Sequence, residues 1–379
     1  MAKFIEKILM DDVDVVIVGA GISGLTLAER YASIGKKVLI VEKRNHIGGN
    51  CFDFINEHRI LVAAYGPHYF HTNDEEVWKY VNKFSEWNPY EHRVISHVNS
   101  KKVPLPVNQT TLNILFNADI KSEKDAEMWF ESHRVDIPNP KNAKDAVLAR
   151  MGTELYELLF EGYTTKQWGI TPENLGPEVT NRIPFRNNND DRYFTDTFQG
   201  MPKFGYTKLF ETMIKNANIN IVLNTDWENI KEKIIPREKL FFTGRIDQYF
   251  EEKFGKLQYR SLQFEFETLD QEYFQEFAQE NYPSLKVPYT RIVEYKHATK
   301  QKNSKTTISK EYATWEGEPY YPVPSEPNKI IYEKYQAIAK DLEKQGVFFV
   351  GRLANYKYFN MDQAFRNVLD FFTHLEGKK

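Results

Sequence analysis

The chain has 379 residues, and its formal net charge of −3 comes from 50 Lys and Arg set against 53 Asp and Glu. That near balance, with the cations dispersed, excludes a general nucleic-acid-binding surface and leaves any anion site to a few positioned cations. A single cysteine, Cys51, rules out an intrachain disulfide and any CxxC redox or zinc pair.

A chain of this length buries a large core and divides into two or three subdomains. Its first stretch, MAKFIEKILMDD, has too short an apolar core and no small-residue cleavage site for a signal peptide. No later apolar run approaches a membrane span, so a soluble, cytoplasmic protein is expected.

From Asp14 to Asn50 the order is strand, glycine turn, helix, strand and acid. The β-branched run Val15 to Val18 suits a strand buried on both faces of a parallel sheet. Gly19, Gly21 and Gly24 follow as GxGxxG, with Ser23 before the last. The first glycine permits the tight turn, the second lets backbone approach a pyrophosphate, and the third allows close helix packing. A helix from about Gly21 to Ser33 aims its positive N-terminus at that phosphate, and Gly35 ends it. Val38 to Val41 is the second parallel strand, with Glu42 at its carboxyl end, about 20 residues past the glycines, where an acid accepts from ribose hydroxyls. Together these predict a bound adenine dinucleotide. Lys43 and Arg44, then Gly48, Gly49 and Asn50, resemble the segment that in many flavoproteins runs beside the pyrophosphate. No second GxGxxG marks a nicotinamide domain, so FAD is the expected cofactor. Cys51 reads as a small residue packed near this loop.

Ile60 to Tyr65 is strand-like and ends in Gly66-Pro67-His68-Tyr69-Phe70-His71. His68 and His71 invite a metal reading, but no Asp, Glu or Cys nearby in sequence completes a set, and no metal is expected. A capped helix follows Asn73 and Asp74. Val103-Pro104-Leu105-Pro106 punctuates the chain, because proline bars helix, and a new unit starts there. Leu112 to about Phe160 is helical, broken at Asn139-Pro140. Thr171 to Pro177 has the proline and glycine content of a loop. Arg192 to Gln199 alternates as an aromatic-rich strand, and a helix from about Tyr206 to Lys215 precedes short strands at Ile219 to Leu223 and Lys239 to Thr243 that return to the parallel sheet. Leu257 to Phe266 and Thr290 to Tyr295 suggest an antiparallel sheet, with a solvated tip at Lys300 to Lys305. Val347 to Val350, then a helix from about Met361 to His374, closes the nucleotide unit.

The expected fold class is therefore α/β. A Rossmann-like FAD-binding domain is discontinuous over 11–84, 201–250 and 335–379. It carries an inserted helical subdomain over 105–185, with a mobile substrate loop, and an antiparallel β-sheet subdomain over 85–104, 186–200 and 251–334.

GAGISG with EKRNHIGGN, YGPHYFHTND, GYTTKQWG, NRIPFR, YFTDTFQGMPKFGYTKL, FTGRIDQYF with YRSL, VPYTRIVEYKH, EPYYPV and GRLANYKYFNMDQ follow one another as in prokaryotic-type UDP-galactopyranose mutases. The chain resembles that family through most of its length. The resemblance implies a flavin-dependent isomerase that interconverts the pyranose and furanose forms of a UDP-sugar through a covalent adduct at N5 of reduced flavin. It implies FAD active in its reduced form, a UDP-sugar and an unidentified reductant as partners, and often a homodimer.

Position by position, it places Arg182 and Arg291 on the diphosphate as catalytic cations and His71 close to the reacting face. Phe160, Tyr163, Thr164 and Trp168 fall to the mobile loop and uridine region. Tyr193, Tyr320 or Tyr321, and Tyr358 give hydroxyls to the phosphates. Gly19, Gly21, Ser23, Gly24, Glu42, Lys43, Arg44, Gly49 and Asn50 hold the cofactor, with His68, Arg352 and Met361 beside the flavin. Three departures bear on the sugar: Ala63 stands where the family commonly has histidine, Tyr69 where it has isoleucine, and Asn360 where it has aspartate. They leave the reaction class intact and open the sugar, with an N-acetylated or deoxy UDP-hexose as the alternative to UDP-galactose. Two rivals stand beside this reading. A flavin amine oxidase would share the first 50 residues but needs an apolar channel and no diphosphate clamp, and a silent UDP-sugar-binding protein would lack only turnover.

Overall fold

The computed structural model describes residues 13–377. The N-terminal stretch read as lacking a signal peptide lies outside them. Five parallel strands form the first sheet, in the order Ile219–Val222, Val38–Val41, Val15–Val18, Lys239–Phe242 and Val347–Phe349. The two leading strands are buried along their whole length, as their unbroken apolar runs require. Helices Ile22–Ser33 and Met361–Glu376 cover one face, where Tyr31 packs between Phe241 and Phe372 at ring separations of 5.2 and 5.1 Å. Trp227, Ile230 and Ile234 close the other face.

The second sheet has seven strands, in the order Tyr321–Pro322, Tyr259–Leu269, Thr306–Thr314, Arg291–Glu294, Gln279–Asn281, Val94–Val98 and Lys101–Leu105. It is antiparallel except where Gln279–Asn281 runs parallel to Val94–Ser96, so it is mixed rather than purely antiparallel. Pro104 does not begin the helical unit; it sits in the edge strand, where a missing N–H costs no ladder bond. The helical unit then runs through Gln109–Phe116, Glu123–His133 and Ala143–Met151, each opened by an N-cap side chain, Asn108, Ser122 or Asn142, that accepts a first-turn N–H. A final run from Thr153 to Trp168 contains a π-helical turn, Tyr156–Glu161. Such turns are rare and recur at functional sites, and this one carries Phe160.

Four expectations need correction. Arg192 to Thr197 is not strand: Arg93 pairs with Arg192 in an isolated bridge, and the strand is Phe198–Pro202. That strand joins Phe70–Thr72 and Trp87–Pro89 in a separate three-stranded sheet, so residues 198–200 do not belong to the seven-stranded one. The division at 334/335 falls inside a single helix, Glu326–Glu343. The tip at 300–305 is not merely solvated, since Asn303 Nδ2 donates to His58 O at 2.8 Å and ties it to the strand pair 53–63.

Candidate functional site

The carboxyl ends of the parallel strands open on a groove of about 360 Å³, the place where this topology binds ligands. Gly19, Gly21 and Ser23 form its floor, Glu42, Lys43 and Arg44 one wall, and Gly49 and Asn50 the opposite lip. The Glu42 carboxylate accepts from Ala20 N–H at 2.7 Å and Arg44 N–H at 2.8 Å, which ties the glycine turn to the second strand and leaves lone pairs for ribose hydroxyls. Gly24 does not line the groove. A Cβ there would stand 1.9 Å from Gly19 O, so its part is the close helix packing its spacing predicts. Arg44 lies over Tyr65 at 4.4 Å and donates to Asn50 Oδ1 and to Glu318 Oε2.

These residues fit an adenine dinucleotide. The helix Ile22–Ser33 starts at Gly21 with no side chain capping its first N–H groups, which face the groove floor. Side chains from distant segments complete the walls: Asp226, Trp227, Thr243, Gln248 and Glu318. Sequence reading missed these because no local motif marks them.

At His68 and Arg352, which line both, the groove meets a second cavity of about 280 Å³. Burial and the neighbouring Arg352 charge push the His68 imidazole down to about 4, so it is neutral near pH 7. Arg352 donates to Tyr320 O and Phe359 O at 3.3 and 2.8 Å. In the second cavity Phe160, Tyr163, Thr164 and Trp168 stand on one side and Arg182, Arg291, Tyr193, Tyr321 and Tyr358 on another. Arg182 lies 4.6 Å over the Tyr358 ring and Arg352 lies 5.4 Å from it. Burial pushes the Tyr358 phenol up, but Arg182, Arg352 and Arg291 together bring it below the ordinary phenol range.

Among the described residues, no carboxylate lines this cavity. Behind it, buried Glu311 accepts from Arg291 Nε at 2.7 Å, while Arg291 Nη1 donates to Gln279 Oε1 at 3.3 Å. Three guanidinium groups against one carboxylate leave two positive charges at this cavity, enough to balance the two negative charges of a diphosphate diester. His71 Nδ1 lies 3.0 Å from Asp196 Oδ2, and its ring stacks on Phe194 at 3.6 Å. Among the described residues, no group of three or more His, Cys, Asp or Glu is arranged to hold a metal.

Two placements differ from expectation. Tyr320 does not line the cavity; it stands just before the strand Tyr321–Pro322 and packs among Tyr65 and Phe264, while Tyr321 lines the cavity. Met361 lines the second cavity rather than the dinucleotide groove, which Ala364 touches instead. Of the three departures, Tyr69 and Asn360 line the second cavity, whereas Ala63 lines neither cavity and packs beside Val293 and Tyr295. Sequence reading also missed His92, which stacks on Tyr69 at 3.8 Å, and Gln279 and Asn281 on the neighbouring strand.

A family model described as UDP-galactopyranose mutase matches residues 158–358, and one described as an NAD(P)-binding Rossmann-like domain matches 17–84. Over 365 residues the chain is 38% identical to a probable UDP-galactopyranose mutase from Klebsiella pneumoniae, covering 95% of this chain and 94% of that one. The chain belongs to the UDP-galactopyranose mutase family. That membership makes it a flavin-dependent mutase, an isomerase by reaction class. It is also 36% identical, over 94% of its length and 96% of the relative's, to a dTDP-fucopyranose mutase from Escherichia coli. A solved structure of reduced UDP-galactopyranose mutase shares the fold, with a TM-score of 0.77 at 15% identity over 97% of this chain and 94% of that one. Among the described residues no helix is long and apolar enough to cross a membrane.

Proposed function

We propose that the chain interconverts the six-membered and five-membered ring forms of a UDP-hexose, with UDP-galactose as a substrate and FAD, reduced, as the cofactor. The observation that carries this reading is the junction at His68 and Arg352, where a dinucleotide groove meets a cavity with three cations and, among the described residues, no lining carboxylate. When bound in the groove, the reduced flavin supplies an electron-rich nitrogen able to attack an anomeric carbon.

The chain's own residues do the rest. Arg182 and Arg291 grip the diphosphate, and their charge stabilises it as it leaves. Tyr193, Tyr321 and Tyr358 offer hydroxyls to the phosphate oxygens. Trp168, Phe160 and Tyr163 give flat faces to the base, and Thr164 a hydroxyl. His71, oriented by Asp196 through Nδ1, presents Nε2 as an acceptor for a sugar hydroxyl proton. Neutral His68 adds no charge beside the flavin site. We further read the chain as a cytoplasmic enzyme, dimeric as the family resemblance implies, that draws electrons from a separate reductant.

Turnover tests it. Enzyme reduced with dithionite converts UDP-galactose to a furanose product separable by chromatography, and oxidised enzyme does not. Equal activity in both states contradicts the flavin role, and peroxide release without ring contraction points to an oxidase.

A further inference from the structure

The two sides of the substrate cavity belong to different elements. Tyr163, Thr164 and Trp168 come from the helix Gly162–Trp168, while Asn281 and Arg291 face each other across the strand pair that flanks the loop 282–290. Neither element alone fixes the distance between them.

The helix turns a second face away from the cavity, and Gly162 and Lys166 share it, one turn apart. A Cβ on Gly162 would stand 2.4 Å from Pro283 O, so helix and loop meet backbone to side. One turn on, the Lys166 ammonium, with three N–H donors, lies within hydrogen-bond distance of four main-chain carbonyls of that loop: Tyr282, and Ser284, Val287 and Tyr289 at 3.0, 2.9 and 2.8 Å. The loop wraps around this one charge.

Arg260 holds the same helix by its end. It is 2% exposed, stacks on Trp315 at 4.4 Å, and donates from Nε to Gln167 O at 2.9 Å and from Nη2 to Lys166 O at 3.2 Å. Those are carbonyls that a helix C-terminus leaves without partners. Neither cation has a carboxylate partner among the described residues, and burial pushes Lys166 down to about 8 and Arg260 to about 10. Arg260 is buried and Lys166 half-buried, and a desolvated cation without a counter-charge is a poor device for stability alone, since an apolar contact would join the same elements with no desolvation cost.

We propose that Lys166 and Arg260 are positioning residues for the substrate: they lock the helix bearing Tyr163, Thr164 and Trp168 to the hairpin bearing Asn281 and Arg291, at the spacing a nucleoside diphosphate spans. The inference rests on the diphosphate reading of the cavity. Neither side chain lines it; both act through the residues they hold.

The test compares Lys166→Met and Arg260→Lys with wild-type holoenzyme. The Met variant keeps the stem and loses the charge; the Lys variant keeps the charge and loses the fork. Both raise the Kd for UDP and the KM for UDP-galactose at least tenfold, with kcat within threefold of wild type and FAD content unchanged. That split is the signature of lost uniform binding. A merely structural role would shrink the active fraction, lowering kcat at constant KM, and that result overturns the proposal. So does UDP affinity within twofold of wild type in both variants. Lys166→Cys alkylated with 2-bromoethylamine restores an ammonium and with it the affinity, whereas iodoacetamide on the same variant does not; equal behaviour of the two adducts also counts against it. Should the Met variant fail to fold, Arg260→Lys decides alone. Wild-type enzyme that binds UDP without turnover contradicts the mutase reading and leaves the clamp judged on Kd, while wild-type enzyme blind to UDP overturns both.

Discussion

A Cβ placed on Gly49 would stand 2.9 Å from Cα of Gly21, so two loops that line the dinucleotide groove touch main chain to main chain. Gly49 also holds a φ of +56°, which costs other residues roughly 1 kcal/mol or more. Gly49→Ala therefore spreads the groove where the pyrophosphate is to lie. The expected outcome is a chain that folds but binds FAD at least tenfold more weakly, read from the ratio of flavin to protein absorbance after gel filtration. Full flavin loading would show that the cradle does not carry the cofactor.

Arg182 and Arg291 part company under substitution. Either change to alanine removes a diphosphate donor, an effect of roughly 3 kcal/mol or a hundredfold to thousandfold in turnover. Arg182 has no carboxylate partner among the described residues, so its loss leaves the thermal midpoint nearly untouched. Removing Arg291 strands Glu311, which is 1% exposed, and an unpaired buried carboxylate costs about 3 to 5 kcal/mol. Adding Glu311→Gln to Arg291→Ala should restore much of the stability and none of the activity. Calorimetry and steady-state kinetics on the three proteins check both halves.

His92 supplies a pH test. Burial, and then the Arg291 charge, hold its imidazole down to about 3, against an ordinary value of 6.5. Its folded value lies below its unfolded one, so its neutral burial is without penalty above pH 6.5, and stability is lost as pH falls from there towards 3. At pH 5 the penalty is about 2 kcal/mol. His68, also held low, acts in the same direction between pH 6.5 and about 4. His92→Gln should flatten the loss between pH 7 and 5 in denaturant titrations relative to wild type. An unchanged slope would mean that His92 titrates normally.

How much of this was legible in the sequence depended on whether a residue's partner lay nearby in the chain. The glycines, Glu42 and the leading strands are local: pattern and spacing fix their places, and the structure puts Gly19, Gly21 and Glu42 in one groove. The resemblance carried Arg182, Arg291 and Trp168 into one cavity although they are over a hundred residues apart in part. What stayed hidden was pairing at long range. Glu311, Gln279 and Asn281 matter because the hairpin register sets them around Arg291, and no motif encodes that register. Tyr320 and Tyr321 were indistinguishable until packing set Tyr320 against Tyr65 and Phe264 and left Tyr321 to the cavity. Arg192 to Thr197 read as strand because aromatics alternate there, yet Arg192 is spent on Asp190 and Glu91 and the ladder begins only at Phe198.

The last prediction concerns the sugar. Tyr69 and Asn360 both line the second cavity, and Tyr69, stacked on His92 at 3.8 Å, makes a broad aromatic wall where the family resemblance implies isoleucine. The relatives themselves differ, one named for UDP-galactopyranose and one for dTDP-fucopyranose. A flat ring packs well against a methyl group, of an acetamide or of a deoxy carbon, and poorly replaces a polar partner for a hydroxyl. Pocket changes of this size shift selectivity by about 1 to 3 kcal/mol, enough to reorder related sugars and too little to alter the chemistry. In competition under reducing conditions, wild-type enzyme should turn over an N-acetylated or 6-deoxy UDP-hexose at least as well as UDP-galactose. Tyr69→Ile and Asn360→Asp should each move the ratio towards galactose by about tenfold. Ala63→His places a long side chain where the present residue touches neither cavity, and serves as the comparison. Ratios that stay fixed in both Tyr69→Ile and Asn360→Asp would remove these positions from sugar discrimination.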